Sequence, residues 1–464
     1  MPGMGTGIKA DNPTVVAAFY AALGIQGLIV AAIALVALLA WMVLRARANR
    51  GNASPAAQVP LPPEPAARRL LRISFGVLWL FDGLLQAQAS MPLGMAPEVI
   101  RPAAASSPLW VQQVDNAMAT IWSYHPVSAP AAAVWIQLGL GAWLLVAPRG
   151  TWSRLAGVAS AGWGVVVWVF GEAFGQLFAP GVTWLFGAPG AVAFYSLAGV
   201  LIALRERSWA TPRLGRFLLR GMGAFFVGMA VLQAWPGRGF WQGRIGHQGD
   251  HGMLSGMLGL MAQTPQPGFL ASWVSWFERV DSAHGFAVNL IVVIALAGIG
   301  AALLYAHPRW VRWALVGAGA LCLADWVLVE DLGFVGGVGT DPNSMIPMFL
   351  VLLAGYFAIT RIPGPAPAVA ALPVGQPARA GWRVIAAVAA VGVTVVGAAP
   401  MAYAASEPYA DPILSKAVDG APQVFTFPVP APQFSLVDQR GTVLSPASWP
   451  GRAGVLTYVD PACL

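Results

Sequence analysis

The sequence predicts an all-α polytopic membrane protein of about ten transmembrane helices built round a duplicated four-helix unit, with the start of an α/β segment as its tail. Three observations predict it. Of 464 residues, 57% are hydrophobic and 10% charged, with a mean hydropathy of +0.66; a soluble domain carries roughly a quarter charged residues. Many apolar runs reach the length of about 18 residues that crosses a hydrocarbon core of roughly 30 Å. One pattern also occurs twice: Trp168, Val169, Glu172 and Gly175 recur 158 positions on as Trp326, Val327, Glu330 and Gly333. Upstream, Trp152 and Arg154 match Trp310 and Arg312 at the same spacing. Gly76 and Leu85-Gln86-Ala87 match Gly223 and Leu232-Gln233-Ala234 at a spacing of 147. Matches in this order, around four apolar segments per copy, imply a repeated membrane unit.

Charge and cysteine content narrow the class. The net charge of +7 sits in short Lys and Arg clusters between apolar runs. That is the positive-inside pattern of a chain in a lipid bilayer, and it argues against nucleic acid as a partner. The 20 Trp suit interfacial belts. Only Cys322 and Cys463 are present, too few for a disulfide framework. Met1–Pro13 lacks a basic n-region, so the first apolar run reads as a span and not as a cleavable signal.

The elements follow in order. Residues 1–50 hold an N-terminal helix, Val15–Leu44, that ends at Arg45, Arg47 and Arg50. A Pro/Ala-rich stretch leads to Arg68, Arg69 and Arg72, so this connection is cytoplasmic and the N-terminus extracytoplasmic. The first four-helix unit, 68–207, has spans at Ile73–Gln88, Ala131–Ala147, Leu155–Phe170 and Gly187–Leu204, with Ser90–Pro130 as an outside loop. The second unit, 213–361, repeats the itinerary with Gly221–Ala234, Gly285–Tyr305, Trp313–Val329 and Pro347–Ile359, its outside loop being Arg238–Ser282. A cytoplasmic Pro/Ala linker, 362–382, precedes the last span, Val384–Ala402 in 383–404. Residues 405–464 are then an extracytoplasmic linker and tail. Basic clusters alternate with these spans, as a bacterial plasma-membrane protein requires.

Two resemblances add expectations. Leu78-Trp79-Leu80-Phe81-Asp82-Gly83-Leu84-Leu85-Gln86, the Trp-Val-x-x-Glu-x-x-Gly ends and Asp341-Pro342-Asn343-Ser344 make the repeated unit resemble the DoxX-like four-helix membrane proteins. That likeness implies membrane redox or quinone-linked partners. Ala431-Pro432-Gln433-Phe434-Ser435-Leu436-Val437 begins a strand, turn and second strand, and Gly454–Val459 reads as a strand ending in Asp460-Pro461-Ala462-Cys463. This order resembles the opening of a redoxin of thioredoxin fold, closest to the Sco/SenC copper-chaperone group. The family pattern needs a second cysteine four residues on and a distant histidine, whereas this sequence ends at Leu464. The expectation is a truncated thioredoxin-like tail, poorly ordered and catalytically incomplete as it stands.

Candidate site residues follow from these readings. Cys463 is the candidate catalytic thiol and Cu ligand, active as a thiol–disulfide oxidoreductase only if the redoxin continues beyond Leu464. Cys322, alone within a span, reads as a small core residue. Asp82, Glu172, Asp325 and Glu330 are costly in a membrane, and are expected to form an acidic pocket near the outer face that serves a quinone head or a proton. His247 and His251, with Asp281 and His284, are a candidate metal site, and Met253, Met257 and Met261 offer thioethers to copper or, as the plainer reading, an interfacial helix face. Ala402-Tyr403-Ala404 has the small residues of a signal-peptidase site, although small residues at a helix end are the plainer reading. The expected function is extracytoplasmic redox work or copper delivery, with a respiratory oxidase or other redox proteins as partners. The alternative is a non-enzymatic membrane scaffold or small-molecule transporter formed by the duplicated unit.

Overall fold

The computed structural model describes residues 9–50, 64–242, 244–245, 250–264, 266–335, 338–361, 376–419, 435–437 and 443–445. The chain divides into two units, Met1–Ala417 and Val418–Leu464.

The first unit is helical. Helix α1 (Pro13–Arg50) starts where Asn12 Oδ1 accepts the Thr14 N–H at 3.0 Å, with proline at the first helical position. Then come α2 (Ala66–Leu85), the short α3 (Met91–Gly94), a π-helical turn at Met95–Ile100, α4 (Arg101–Ala104) and α5 (Leu109–Tyr124). The spanning helices α6 (Ser128–Val146) and α7 (Gly150–Phe170) precede α8 (Ala191–Ala203) and α9 (Pro212–Ala234). Two-residue strands β1 (Arg244–Ile245) and β2 (Asp250–His251) pair antiparallel before α10 (Met253–Met261). The long α11 (Gly268–Tyr305) leads to α12 (Pro308–Leu328), α13 (Met345–Thr360), α14 (Gln376–Ser406) and α15 (Ile413–Asp419).

Among the described residues, seven helices are long and apolar enough to cross a membrane: those at Pro13–Arg47, Ser128–Val146, Gly150–Phe170, Pro212–Ala234, Gly268–Tyr305, Pro308–Leu328 and Gly381–Ser406. The other three expected spans also fall on helices. Helix α2 carries Arg68, Arg69, Arg72 and Asp82, while α8 and α13 have 13 and 16 residues. Large apolar side chains stay exposed, such as Leu28, Ile291 and Trp313. In a bilayer that surface costs nothing, because lipid is as apolar as the side chains.

The expected outside loops are corrected. Ser90–Pro130 is not a loop; it folds as α3, the π turn, α4 and α5, fastened where the Trp122 indole donates to the Met91 carbonyl at 3.0 Å. The apolar residues Met91, Ile100, Ala119 and Trp122 form a core of their own there. Arg238–Ser282 likewise holds β1, β2, α10 and the first half of α11, which breaks at His284 (φ −132°) immediately before the expected span begins.

Helices α2, α6, α7 and α8 pack together, as do α9, α11, α12 and α13. Within each set, two helices cross at matching glycines. A Cβ on Gly141 would lie 2.6 Å from the Gly76 carbonyl of α2, and one on Gly300 would lie 2.9 Å from the Gly223 carbonyl of α9. Backbones touch there, as small residues permit in membranes. Helix α13 packs on α2 and α8 to join the sets, and α14 packs on α6 with α1 beyond it. Trp79 and Tyr195 lie at the centre of the first set, rings 4.7 Å apart, with the Trp79 indole donating to Ser160 at 2.8 Å.

One end of the first set is held by buried arginines. Arg68, fully buried, donates to the carbonyls of Ile202 (2.9 Å) and Pro148 (2.9 Å) and to Glu64 (3.0 Å). Arg72 donates to Leu144 O at 2.8 Å. These guanidiniums supply donors to the last carbonyls of α6 and α8, which have no partner within their helices.

Of the second unit, the antiparallel pair β3 (Leu436–Val437) and β4 (Val443–Leu444) is described. The expected strand 454–459 and Cys463 lie outside the described residues, and among the described residues the tail shows the β3–β4 pair without a thioredoxin-like fold.

Candidate functional site

Both copies of the repeated motif do the same local work. In the first, α7 ends at Phe170, and the Trp168 indole donates to the Pro189 carbonyl at 2.7 Å. Glu172 Oε1 accepts the Val192 N–H at 3.3 Å in the first turn of α8. In the second, the Trp326 indole donates to Pro342 O at 2.9 Å after α12 ends. Glu330 accepts from Ser344 N at 3.1 Å and Met345 N at 3.3 Å at the start of α13. A carboxyl at a helix N-terminus serves amides that have no partner within the helix. Gly175 (φ +59°) and Gly333 (φ +74°) turn the chain beneath these caps; a Cβ on Gly333 would lie 2.7 Å from Asp341 O, and one on Gly175 would collide with the Pro189 carbonyl. The motif is thus a clamp between the end of one helix and the start of the next.

The clamps meet. Ser344 Oγ donates to the Gly187 carbonyl at 2.6 Å, joining the loop of one copy to that of the other. Between the loops lies a cavity of about 270 Å³ lined by Glu172, Glu330 and Asp341, by the polar Gln176 and Ser344, and by Phe186, Val329, Met257 and Met261. Asp341 accepts from Asn343 N and from the Thr340 hydroxyl, both at 2.8 Å. Glu172 Oε2 is buried without a partner. Among the described residues, no cation pairs with any of the three carboxyls. All three lie beyond the ends of α7 and α12. Burial pushes the Glu330 carboxyl up to about 8 against the pull of the Met345 and Ser344 N–H groups. Burial also raises Glu172 and Asp341, and Asp341 adds repulsion at Glu172.

Of the four acids expected to share a pocket, Glu172 and Glu330 do. Asp82 and Asp325 do not line it; this is a correction. Asp82 is buried in α2 beside the Tyr195 hydroxyl, and Asp325 is buried in α12 with both oxygens unpartnered. Asp82 lies in the last turn of α2 and Asp325 in the last turn of α12, so both side chains are held in the helix packing. Sequence reasoning missed Asp341 as a cavity acid. The position 153 earlier, matching Pro342 to Pro189, is Ala188, so no repeat signal marked it. Met257 and Met261 turn out to face this cavity.

Among the described residues, no three His, Cys, Asp or Glu side chains form a metal-ligand group. His247 and Cys463 lie outside the described residues, as does the side chain of His251, whose backbone is in β2. Cys322 is buried in the core of α12. Ala402-Tyr403-Ala404 lies inside continuous helix α14 with Ala404 buried, so a peptidase would first have to unwind it. No protein-family model, curated protein or solved structure matches this chain.

Proposed function

We propose that the chain is a duplicated, DoxX-like membrane unit that binds a small cationic molecule between its two halves, in the class of membrane binding or transport proteins and not of enzymes. One observation carries this reading: the cavity is built jointly by the equivalent loops of both copies, and its lining combines three carboxyls with several apolar side chains. An organic ammonium with a short hydrocarbon body suits it, the charge meeting Glu172, Glu330 and Asp341, and the body meeting Phe186, Met257 and Met261. Because burial favours the protonated acids, a cation enters in exchange for protons.

Calorimetry on the purified full chain with butylammonium tests this. Binding should tighten as pH rises from 6 to 8, with proton release, and Asp341→Asn should weaken it roughly tenfold. Equal binding of neutral butanol would defeat the proposal.

A second reading, extracytoplasmic thiol–disulfide exchange or copper delivery to a respiratory oxidase, rests on Cys463 and the redoxin-like order before it; the β3–β4 pair falls where that order places its first two strands. Cu(I) titration of the full chain against Cys463→Ser tests it. Equal copper uptake by both would remove it.

A further inference from the structure

Another cavity, of about 370 Å³, opens between α2 of the first copy and α13 of the second. It is an open groove lined by Arg69, Leu70, Ile73 and Ser74 of α2 and by Phe357 and Arg361 of the other helix. Arg69 lies in the first turn of α2 and Arg361 caps the end of α13, so both arginines stand at one end of the groove. Its size falls in the range of roughly 300–1,000 Å³ that holds small organic groups.

The arginines of α2 are of two kinds. Arg68 and Arg72 are buried and share Glu64. Arg69 is exposed, and among the described residues no carboxyl pairs with it or with Arg361. The Arg361 guanidinium lies 4.0 Å from the centre of the Phe357 ring. Stacking there fixes its plane and leaves its N–H edges open. Away from the arginines the groove turns apolar. Leu70, Ile73 and Phe357 form its walls, and the Ser74 hydroxyl already donates to the Leu70 carbonyl at 2.7 Å. Ile73 and Val77, both exposed, follow Arg69 on the same face of α2. They lie about 6 and 12 Å further along the helix, toward the hydrocarbon core.

We propose that this groove holds an anionic membrane phospholipid, its phosphate between Arg69 and Arg361 and one acyl chain along Leu70, Ile73 and Val77. Two guanidinium forks offer paired N–H donors to the phosphate oxygens. Basic pockets between membrane helices, near the positively charged face, recruit anionic headgroups. A zwitterionic headgroup suits the site less, because its ammonium offsets the charge that the arginines meet. Water can solvate the guanidiniums, but it leaves the apolar walls beside them uncovered. Since the two arginines come from different copies, the lipid bridges the halves of the duplicated unit. The inference concerns the opposite end of α13 from the acid-lined cavity and does not rest on the cation site.

Native mass spectrometry of the full chain in detergent tests this, with phosphatidylglycerol and phosphatidylcholine of identical chains in competition. Phosphatidylglycerol should be retained about tenfold more strongly, and Arg69→Gln with Arg361→Gln should abolish that preference. Arg309→Gln with Arg312→Gln removes the same charge from the start of α12 and should leave the preference intact. Should the first pair fail to fold, Arg69→Gln alone, at an exposed position, should lower the preference several-fold. A native chain without the preference overturns the proposal, as does a preference that survives the first pair or falls equally in the second. Inorganic phosphate binding as tightly as the lipid overturns it too, because the apolar walls would then contribute nothing.

Discussion

At the scale of single residues, buried titratable groups carry the sharpest consequences. His125, 1% exposed, points Nδ1 at Asp411 Oδ1 (2.9 Å) and Nε2 at the Glu407 carbonyl (3.0 Å). The ring therefore bridges a side-chain carboxyl and a backbone carbonyl. It fastens the segment after α14 to the junction of α5 and α6, where the Asp411 N–H also donates to Tyr124 O at 2.8 Å. His125→Phe should cost on the order of 2 kcal/mol. In a thermal double-mutant cycle with Asp411→Ala the two losses should be strongly non-additive; additive losses would mean no latch. Asp115 of α5 is fully buried with both oxygens unpartnered, and burial lifts its carboxyl to about 7. The native state keeps the proton that the unfolded chain loses near pH 4, so this group subtracts stability as pH rises from about 4 to about 7. Asp115→Asn should therefore match the native chain at pH 4 and exceed it at pH 8, by a few kcal/mol at most. A constant difference between melting curves at the two pH values would refute this.

Individual elements depend on backbone contact and on clamps. Gly141 and Gly300 hold α6 and α11 against α2 and α9, and any side chain there meets backbone. Gly300→Val should abolish folded protein or lower its melting point by many degrees. Gly298→Ala, two residues away with nothing near its missing Cβ, should instead stabilise α11 by roughly 0.5–1 kcal/mol. A harmless Gly300→Val would show that the crossing is looser than described. Much of this level was legible in sequence. Gly76 and Gly223 stood out as a repeat, but their partners on α6 and α11 did not, because a crossing point depends on which helices meet. The Trp-Val-x-x-Glu-x-x-Gly repeat was visible as a pattern, while its role as a clamp was not. The carbonyl that each tryptophan meets lies 21 or 16 residues further along, past an irregular loop.

Across the whole molecule, charge sets the orientation. Arg68 and Arg72 bring the start of α2 to the ends of α6 and α8, so the basic turns at 149–154 and 205–220 share one face with it. The positive-inside rule predicts that this face is cytoplasmic. In a Cys463→Ser background, with Cys322 buried, an impermeant maleimide should label Asn116→Cys in intact spheroplasts. It should label Arg207→Cys only after permeabilisation. The reverse pattern would invert the topology.

Composition and periodicity alone determined that this chain is helical, apolar enough for membrane and internally repeated, because these are averages over long stretches and each apolar run must satisfy its own backbone. Only tertiary structure decided which polar groups share a space. It brought Asp341 from a loop to join Glu172 and Glu330, left Asp82 and Asp325 in the packing, and folded the supposed outer loop into helices. Cavities arise where helices fail to fill the gap between them, and that depends on side chains distant in the chain.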